Sequence, residues 1–313
     1  MENLWSSSRS GLKWDCLFVL PFWLKTVRRH LGDEGEPHIV SVHDGSRVVG
    51  IAPLCLQDHT VRFLGNPDVC DYQDIIVVPG CGEQVMAAVV DHLRARGLRR
   101  MELQTLRPES TALRTLQAVA AHDGRDVRVE QDGVTYEAAL PAAWDDYLMQ
   151  LNGKQRHEVR RKLRRLESHG VYTYKTAGID ENTDNAAGHF LRLFHMNRID
   201  KAAFMHAAMA DYFRELIGAA SRLGILRLHV LEVVHEPVAA VLCFDYGHER
   251  YLYNSAYDAR YHDLSVGIIS KVLSIRSGVE AGCRSYDFLK GDETYKKRLG
   301  GKEVPLFKCS MAL

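Results

Sequence analysis

The sequence predicts an α/β (α+β) protein built from two similar domains in tandem, each a mixed, mostly antiparallel sheet flanked by helices. Three observations carry this reading. The chain has 313 residues, room for two domains of ordinary size. A strand, polar turn and strand occur twice, as IVSVHDGSRVVGIAPLCL (39–56) and as LHVLEVVHEPVAAVLCF (228–244). A helix and a further strand then follow in each half, at 82–106 with RARGLRRMELQTL and at 267–289 with EAGCRSYDFL. Repetition on this scale marks two copies of one plan. The domains are placed at 1–132 and 133–313.

Taken in order, Pro21 to His30 reads as a helix with proline in its first turn. Two β-rich runs around Asp44-Gly45 read as a hairpin. Val61–Leu64 and Ile75–Val78 are further strands. Gly82–Gly97 is a helix with Val85, Met86, Val89, Val90 and Leu93 on its apolar face, followed by a strand at Met101–Leu106 and a helix at Thr111–Ala121. In the second half, Ala142–Leu151 is a short helix, Val171–Lys175 a strand, and Asn185–Arg198 and Phe204–Leu223 are helices. Strands follow at Leu226–Val234, Val238–Tyr246 and Arg250–Ala256.

Composition narrows the function classes. Hydrophobic residues make up 46%, enough for real cores, and 40 basic residues balance 40 acidic ones. With no net charge, any electrostatic site must be local. The cysteines at 16, 55, 70, 81, 243, 283 and 309 form no C-x-x-C pair, which argues against a disulfide framework and for a reducing, cytoplasmic setting. Cys243 and Cys283 read as small buried hydrophobes. The apolar run Cys16–Leu24, followed by Lys25, Arg28 and Arg29, reads as a buried strand or helix start rather than a signal peptide. No run approaches the roughly 20 apolar residues of a membrane span. His157-Glu158 does not extend to H-E-x-x-H, and the histidines show no ligand spacing, so no metal is expected. Nucleophile-elbow, P-loop and dinucleotide fingerprints are absent from the sequence.

Two stretches carry chemistry. Residues 154–165 hold seven Lys or Arg in twelve positions, with Arg156, Arg160 and Arg164 on one helical face. This is either a solvated face or a surface for phosphates and polyanionic substrates. Residues 264–300 run from a turn with Ser265 and Gly267 into an amphipathic helix (Ile268, Ile269, Val272, Leu273, Ile275, Val279), then a cap at Gly282. The strand Ser285–Leu289 and a polar loop at 290–297 follow. A helix start beside small residues can hold phosphate oxygens. The plain alternative is an ordinary α/β unit with a charged surface loop.

The segments VVGIAPL and DYQDIIV in the first half, and KQRHEVRRKLRRLESHG, FHMNRIDKAAF, EPVAAVLCF, YLYNSAYDARYHDLSVGII and YDFLKGDETYKKRLG in the second, resemble the GNAT acyltransferase superfamily. The likeness is greater to its double-GNAT group, which includes the Fem peptidyltransferases and the proteins once named for cellulose biosynthesis. This resemblance implies a degenerate first domain and an acyltransferase second domain. It implies that Val238–Tyr246 and Arg250–Ala256 splay apart around a pantetheine arm, with Asn254 and Ser255 beside it. The pyrophosphate would rest on Leu264, Ser265, Val266 and Gly267. The usual basic-x-x-Gly-x-Gly/Ala loop would read Arg260 or His262, then Ser265, then Gly267, with serine in place of the first glycine. Asp287-Phe288 and Tyr295-Lys296 match the Fem pattern. By that analogy Lys296 stabilises an oxyanion, and Asp287 or Glu293 takes a proton from the acceptor. The plain alternatives are a structural carboxylate at a strand end and a surface lysine. Arg156, Arg198, Lys201 and Tyr257 are candidates for the acceptor pocket.

The function expected is transfer of an acyl group, acetyl first among them, from acyl-CoA to an amine or hydroxyl of a small molecule, sugar or cell-envelope precursor. Two other readings stand beside it. One is a Fem-like transferase using aminoacyl-tRNA, with the basic helix on RNA phosphates. The other is a non-catalytic binding module on the same scaffold.

Overall fold

The computed structural model describes residues 1–7, 10–32, 35–178, 182–196 and 207–313. Two compact units emerge, Met1–Val134 with Val304–Leu313, and Thr135–Glu303.

In the first unit the described elements are helices α1 (Glu2–Trp5) and α2 (Pro21–Leu31), strands β1 (Glu36–Asp44), β2 (Arg47–Gln57), β3 (Thr60–Phe63) and β4 (Ile76–Val77), helix α3 (Gly82–Ala95), strand β5 (Arg100–Leu106) and helix α4 (Thr111–His122). β1 and β2 form the expected hairpin, with Val40 opposite Ala52 and Asp44 opposite Arg47. β2 pairs antiparallel with β3, and β3 pairs parallel with β5. Val49, Leu54 and Val61 from the sheet meet Val85, Val89 and Leu93 of α3 in one apolar cluster.

β6 (Val127–Ala139) leads into the second unit, whose elements are helices α5 (Trp144–Gln150) and α6 (Gly153–His169), strand β7 (Tyr172–Thr176), helices α7 (Thr183–Met196) and α8 (Ala207–Arg222), strands β8 (Leu226–Val233), β9 (Glu236–Tyr246) and β10 (Glu249–Tyr257), helix α9 (Val266–Glu280), strand β11 (Ser285–Lys290) and helix α10 (Thr294–Arg298). Strand order is β6-β11-β10-β9-β8-β7. Each pairing in this order is antiparallel except that of β10 with β11, which is parallel. α6 begins with a capping box in which the Asn152 side chain accepts from the Gln155 N–H and the Gln155 side chain accepts from the Asn152 N–H, both at 2.9 Å.

The last strand, β12 (Lys302–Ala312), belongs mainly to the first unit. The sequence reading ran the second domain to 313. Instead β12 pairs antiparallel with β5, with Phe307 opposite Leu106 and Met311 opposite Met101, and buries Cys309 and Met311 in the first core. β6 and β12 escaped the sequence reading, as did the placement of the first boundary inside a strand.

The duplication is real at the level of topology. β1-β2-β3-α3-β5 and β8-β9-β10-α9-β11 each run as two antiparallel pairings and then a helical crossover to a parallel neighbour. Each crossover strand carries one left-handed residue near its end, Thr105 (φ 55°) in β5 and Leu289 (φ 60°) in β11.

Two further expectations change. α9 is buried almost all round, with Ser270, Lys271 and Ser274 as covered as Ile269 and Val272, so it is not the amphipathic surface helix its spacing suggested. Its polar groups have buried partners: Tyr174 donates to the Ser270 carbonyl at 2.9 Å, and the Ser274 and Tyr286 hydroxyls meet at 3.0 Å. Arg250, fully buried, donates to the Ser274 carbonyl at 3.0 Å and forks onto Asp245 at 2.7 and 2.8 Å. Residues 290–297, read as a loop, contain the turn of helix α10.

The packing of α3 on β2 gives a test. A β-carbon on Gly50 would run into the Val85 side chain. Gly50→Ala should therefore lose about 1–3 kcal/mol in chemical denaturation. The Gly50→Ala/Val85→Ala double variant should be more stable than the two single losses added together.

Candidate active site

β10 and β11 pair only at their beginnings, Glu249 with Ser285, Arg250 with Tyr286 and Tyr251 with Asp287. Beyond Tyr251, β10 keeps its partner on β9 as far as Tyr257 opposite Ala239, and its other edge has no ladder partner on β11. The splay expected between 238–246 and 250–256 is therefore misplaced. Those strands form a hairpin across Gly247 and His248 and stay paired throughout. The parallel strands, joined only through a helix, are the ones free to part. Asn254 and Ser255 lie half-buried on the diverging section, with the Asn254 side chain accepting from the Ser255 N–H at 2.8 Å.

The end of β11 turns away through a bulge between Asp287 and Lys290. Its left-handed residue, Leu289, costs about 1–2 kcal/mol on backbone grounds. Two buried charges hold it. Asp287 Oδ1 accepts from the Leu289 N–H at 2.7 Å and from Thr135 Oγ1 at 3.2 Å. Lys296, 1% exposed, donates through Nζ to the carbonyls of Leu289, Lys290 and Gly291 at 2.8, 2.9 and 3.2 Å. The same Nζ lies 2.9 Å from Glu293 Oε2. Lys296 is thus neither a surface lysine nor an ammonium pointing freely into a pocket. Its protons are taken up by the turn it braces. Glu293 is the exposed member of this pair, with 56% of its side chain open to solvent. Tyr295 packs edge-on to Phe288 at 6.3 Å. Burial, with Glu293 adding to it, pushes its phenol well above the usual tyrosine range.

The opening leads to the start of α9. Ser265 sits there at φ 56°, the conformation glycine would adopt at no steric cost. The N–H groups of Val266 and Gly267 make no hydrogen bond among the described residues, as a first helical turn leaves them. The Leu264 and Val266 side chains go into the core, so only their backbone faces outward. Gly267 is small for a nearby reason: a β-carbon there would lie 2.7 Å from the Tyr257 ring. Tyr257 therefore belongs to this end of the site. Arg260, the expected loop cation, is forked onto Asp258 at 2.7–3.1 Å. The cation beside the turn is Lys162 of α6, 2.6 Å from Ser265 Oγ and 3.2 Å from Glu158.

Lys271 joins the two halves of the site. It is nearly buried, donates to the Gly267 carbonyl at 2.8 Å and lies 4.9 Å from the centre of the Tyr295 ring. The sequence reading missed Lys162 and Lys271. For Lys271 the signal was a lysine inside the most apolar helix of the chain. For Lys162 there was none, because it looks like its six basic neighbours. Arg156 lies elsewhere, in a cleft beside α5. Arg198 and Lys201 fall outside the described residues. No group of three or more metal-ligating side chains occurs among those described, and no helix among them is long and apolar enough to cross a membrane.

No curated protein sequence matches the chain. Residues 153–297 match the family model of the acetyltransferase (GNAT) domain. Among solved structures, the chain is similar to FemX, at 13% identity and a TM-score of 0.63 over 93% of this chain and 91% of that one. It is similar to the L-PGS of Bacillus licheniformis, at 11% identity and 0.58 over 93% and 91%. A conserved protein of unknown function from Bacteroides thetaiotaomicron aligns at 11% identity and 0.64 over 93% and 90%. At these identities the likeness is one of fold. The matched domain contains β10, β11, α9 and the turn that separates them. The likeness to the acetyltransferase (GNAT) domain family thus lies in residues 153–297, and the chain shares its fold with FemX over nearly its whole length.

Proposed function

We propose that the protein transfers an acyl group, acetyl first among candidates, from acyl-CoA to an amine or hydroxyl of a small acceptor such as a sugar or cell-envelope precursor. One observation carries the reading: the parting of β10 from β11 opens toward two unbonded N–H groups at the start of α9, with Lys162 beside them. The Val266 and Gly267 N–H groups and Lys162 suit the donor's diphosphate. The edge of β10 beyond Tyr251, where the ladder to β11 ends, suits its pantetheine amides, which would pair there as an added strand does.

In the reaction the thioester C–S bond breaks and an acyl C–N or C–O bond forms. The acceptor loses a proton and the departing thiolate gains one. Of the two carboxylates at the end of β11, Glu293 is assigned as base, because an acceptor can reach it. Asp287 is 1% exposed and holds Leu289. Lys296 is a positioning residue that fixes the backbone beneath Glu293 and Tyr295.

Calorimetric titration with acetyl-CoA and with CoA tests the donor. Micromolar binding is expected, weakened about tenfold by Lys162→Ala and unchanged by Arg260→Ala. If the folded protein binds neither compound, the donor assignment is wrong, and charged tRNA becomes the ligand to try.

A second test separates the two roles at β11. Lys296→Ala leaves three carbonyls and Glu293 without their partner, and should cost about 3–5 kcal/mol in denaturation. Glu293→Gln removes the counter-charge but leaves Lys296 its three carbonyls, and should cost less than Lys296→Ala in denaturation while lowering kcat by roughly 10²–10⁴ with KM for the donor unchanged.

A further inference from the structure

The cations of α6 divide into two sets. Glu158 takes Arg161 at 2.8–2.9 Å and Lys162 at 3.2 Å. Arg165 donates to the Asp263 carbonyl at 2.6 Å. Arg156, Arg160 and Arg164 lie on the opposite side and receive no acid. Arg156 is fixed by the carbonyls of Leu151 and Leu148 at the end of α5, at 3.0 and 3.5 Å. The Arg160 guanidinium has no hydrogen-bond or ion-pair partner among the described residues, and Arg164 reaches only the Arg160 carbonyl, at 3.4 Å. Like charges one turn apart weaken a helix, and at this face the helix leaves them uncompensated.

These arginines line a cleft of about 650 Å³ together with Trp144, His157 and Arg276. Its one acid is Glu167, so four arginines face one carboxylate in a chain whose net charge is zero. Arg276 is tethered to Glu280 at 2.9 Å. Trp144 is half-buried and stacked on Tyr147 at 5.1 Å and 22°. That gives one aromatic wall among the arginines. Arg276 stands nine residues beyond Gly267 on α9, roughly 14 Å along the axis at 1.5 Å per residue. The cleft is therefore separate from the start of that helix, and its argument is independent of the donor assignment.

We propose that this cleft is a binding site for a small phosphorylated ligand carrying two or more phosphoryl groups and a flat ring. The phosphoryl oxygens pair with Arg156, Arg160, Arg164 and Arg276, whose planar forks suit them, and the ring lies against Trp144. The arginines of α6 span roughly 12 Å of helix, enough for neighbouring phosphoryl groups to meet different side chains. Cleft size favours a small molecule, since such sites run from about 300 to 1,000 Å³. A neutral chain lacks the broad field that draws a long polyanion to a surface.

Titration of the full chain with inorganic tripolyphosphate and with ADP, followed by calorimetry, tests this. Both should bind, and both should weaken at least tenfold in the Arg160→Ala/Arg164→Ala variant. Those side chains are exposed and brace nothing, so its melting curve should match the parent's. ADP should bind more tightly than pyrophosphate, and Trp144→Ala should remove that advantage. The proposal fails if neither probe outcompetes sulfate at equal ionic strength, or if the double variant binds ADP as the parent does. It fails equally if a structured RNA binds far more tightly than ADP and loses that affinity in the double variant.

Discussion

The second unit depends on one turn, at the end of β11, where a buried carboxylate and a buried ammonium hold a backbone that would not otherwise fold that way. Leu289 is left-handed, Asp287 takes its N–H, and Lys296 takes its carbonyl and the next two. A buried lysine is costly unless its charge is matched, and Glu293 matches it. The result bends β11 from β10 after three residue pairs. A straight β11 would continue the ladder and close the opening. The separation of β10 from β11 thus follows from ion pairing at the strand end.

The opposite wall is fixed by different means. α9 bridges the two parted strands and is anchored through polar contacts under apolar cover. Arg250 binds Asp245 and the Ser274 carbonyl, while Ser274 also meets Tyr286 and Cys243. Desolvation of this cluster pushes the Cys243 thiol up to about 11, so it stays a thiol and serves as a neutral packing group. Such a layer has one well-satisfied arrangement, which sets the rotation of α9 and hence where Val266, Gly267 and Lys271 point.

Much of this was legible in the sequence, and the omissions have physical causes. The hairpins, α3 and α6 follow from periodicity, because the apolar residues of each gather on one face. β6 and β12 did not register, because half-buried strands of mixed character such as VRVEQDGVTYEAA acquire their pattern from neighbours distant in sequence. α9 was read as amphipathic because Ser270, Lys271 and Ser274 are polar by type, yet each is buried against a polar partner. Lys296 and Asp287 were identified as important by their motif. Their geometry was not, since no spacing reveals that an ammonium will be claimed by three carbonyls. The parting strands were assigned one pair too early for a related reason. Adjacency in sequence says which strands can pair, while divergence depends on a bulge that sequence does not announce.

Ser265 shows how a departure from a familiar loop can be compensated. Glycine would occupy φ 56° freely, and serine there costs about 1 kcal/mol. Serine adds a hydroxyl, and that hydroxyl receives Lys162 at 2.6 Å. A glycine loop would present only backbone N–H groups to an anion. The serine loop presents the N–H groups of Val266 and Gly267 and recruits an ammonium from a neighbouring helix. The expected cation, Arg260, has meanwhile been spent on Asp258. The charge next to the helix start is therefore supplied from α6, whose acid-bearing side points toward α9 and holds Lys162 in place through Glu158. One helix thereby sorts its basic residues into two environments. On one side they are paired and positioned at the start of α9, and on the other Arg156, Arg160 and Arg164 line a separate cleft without an acid partner.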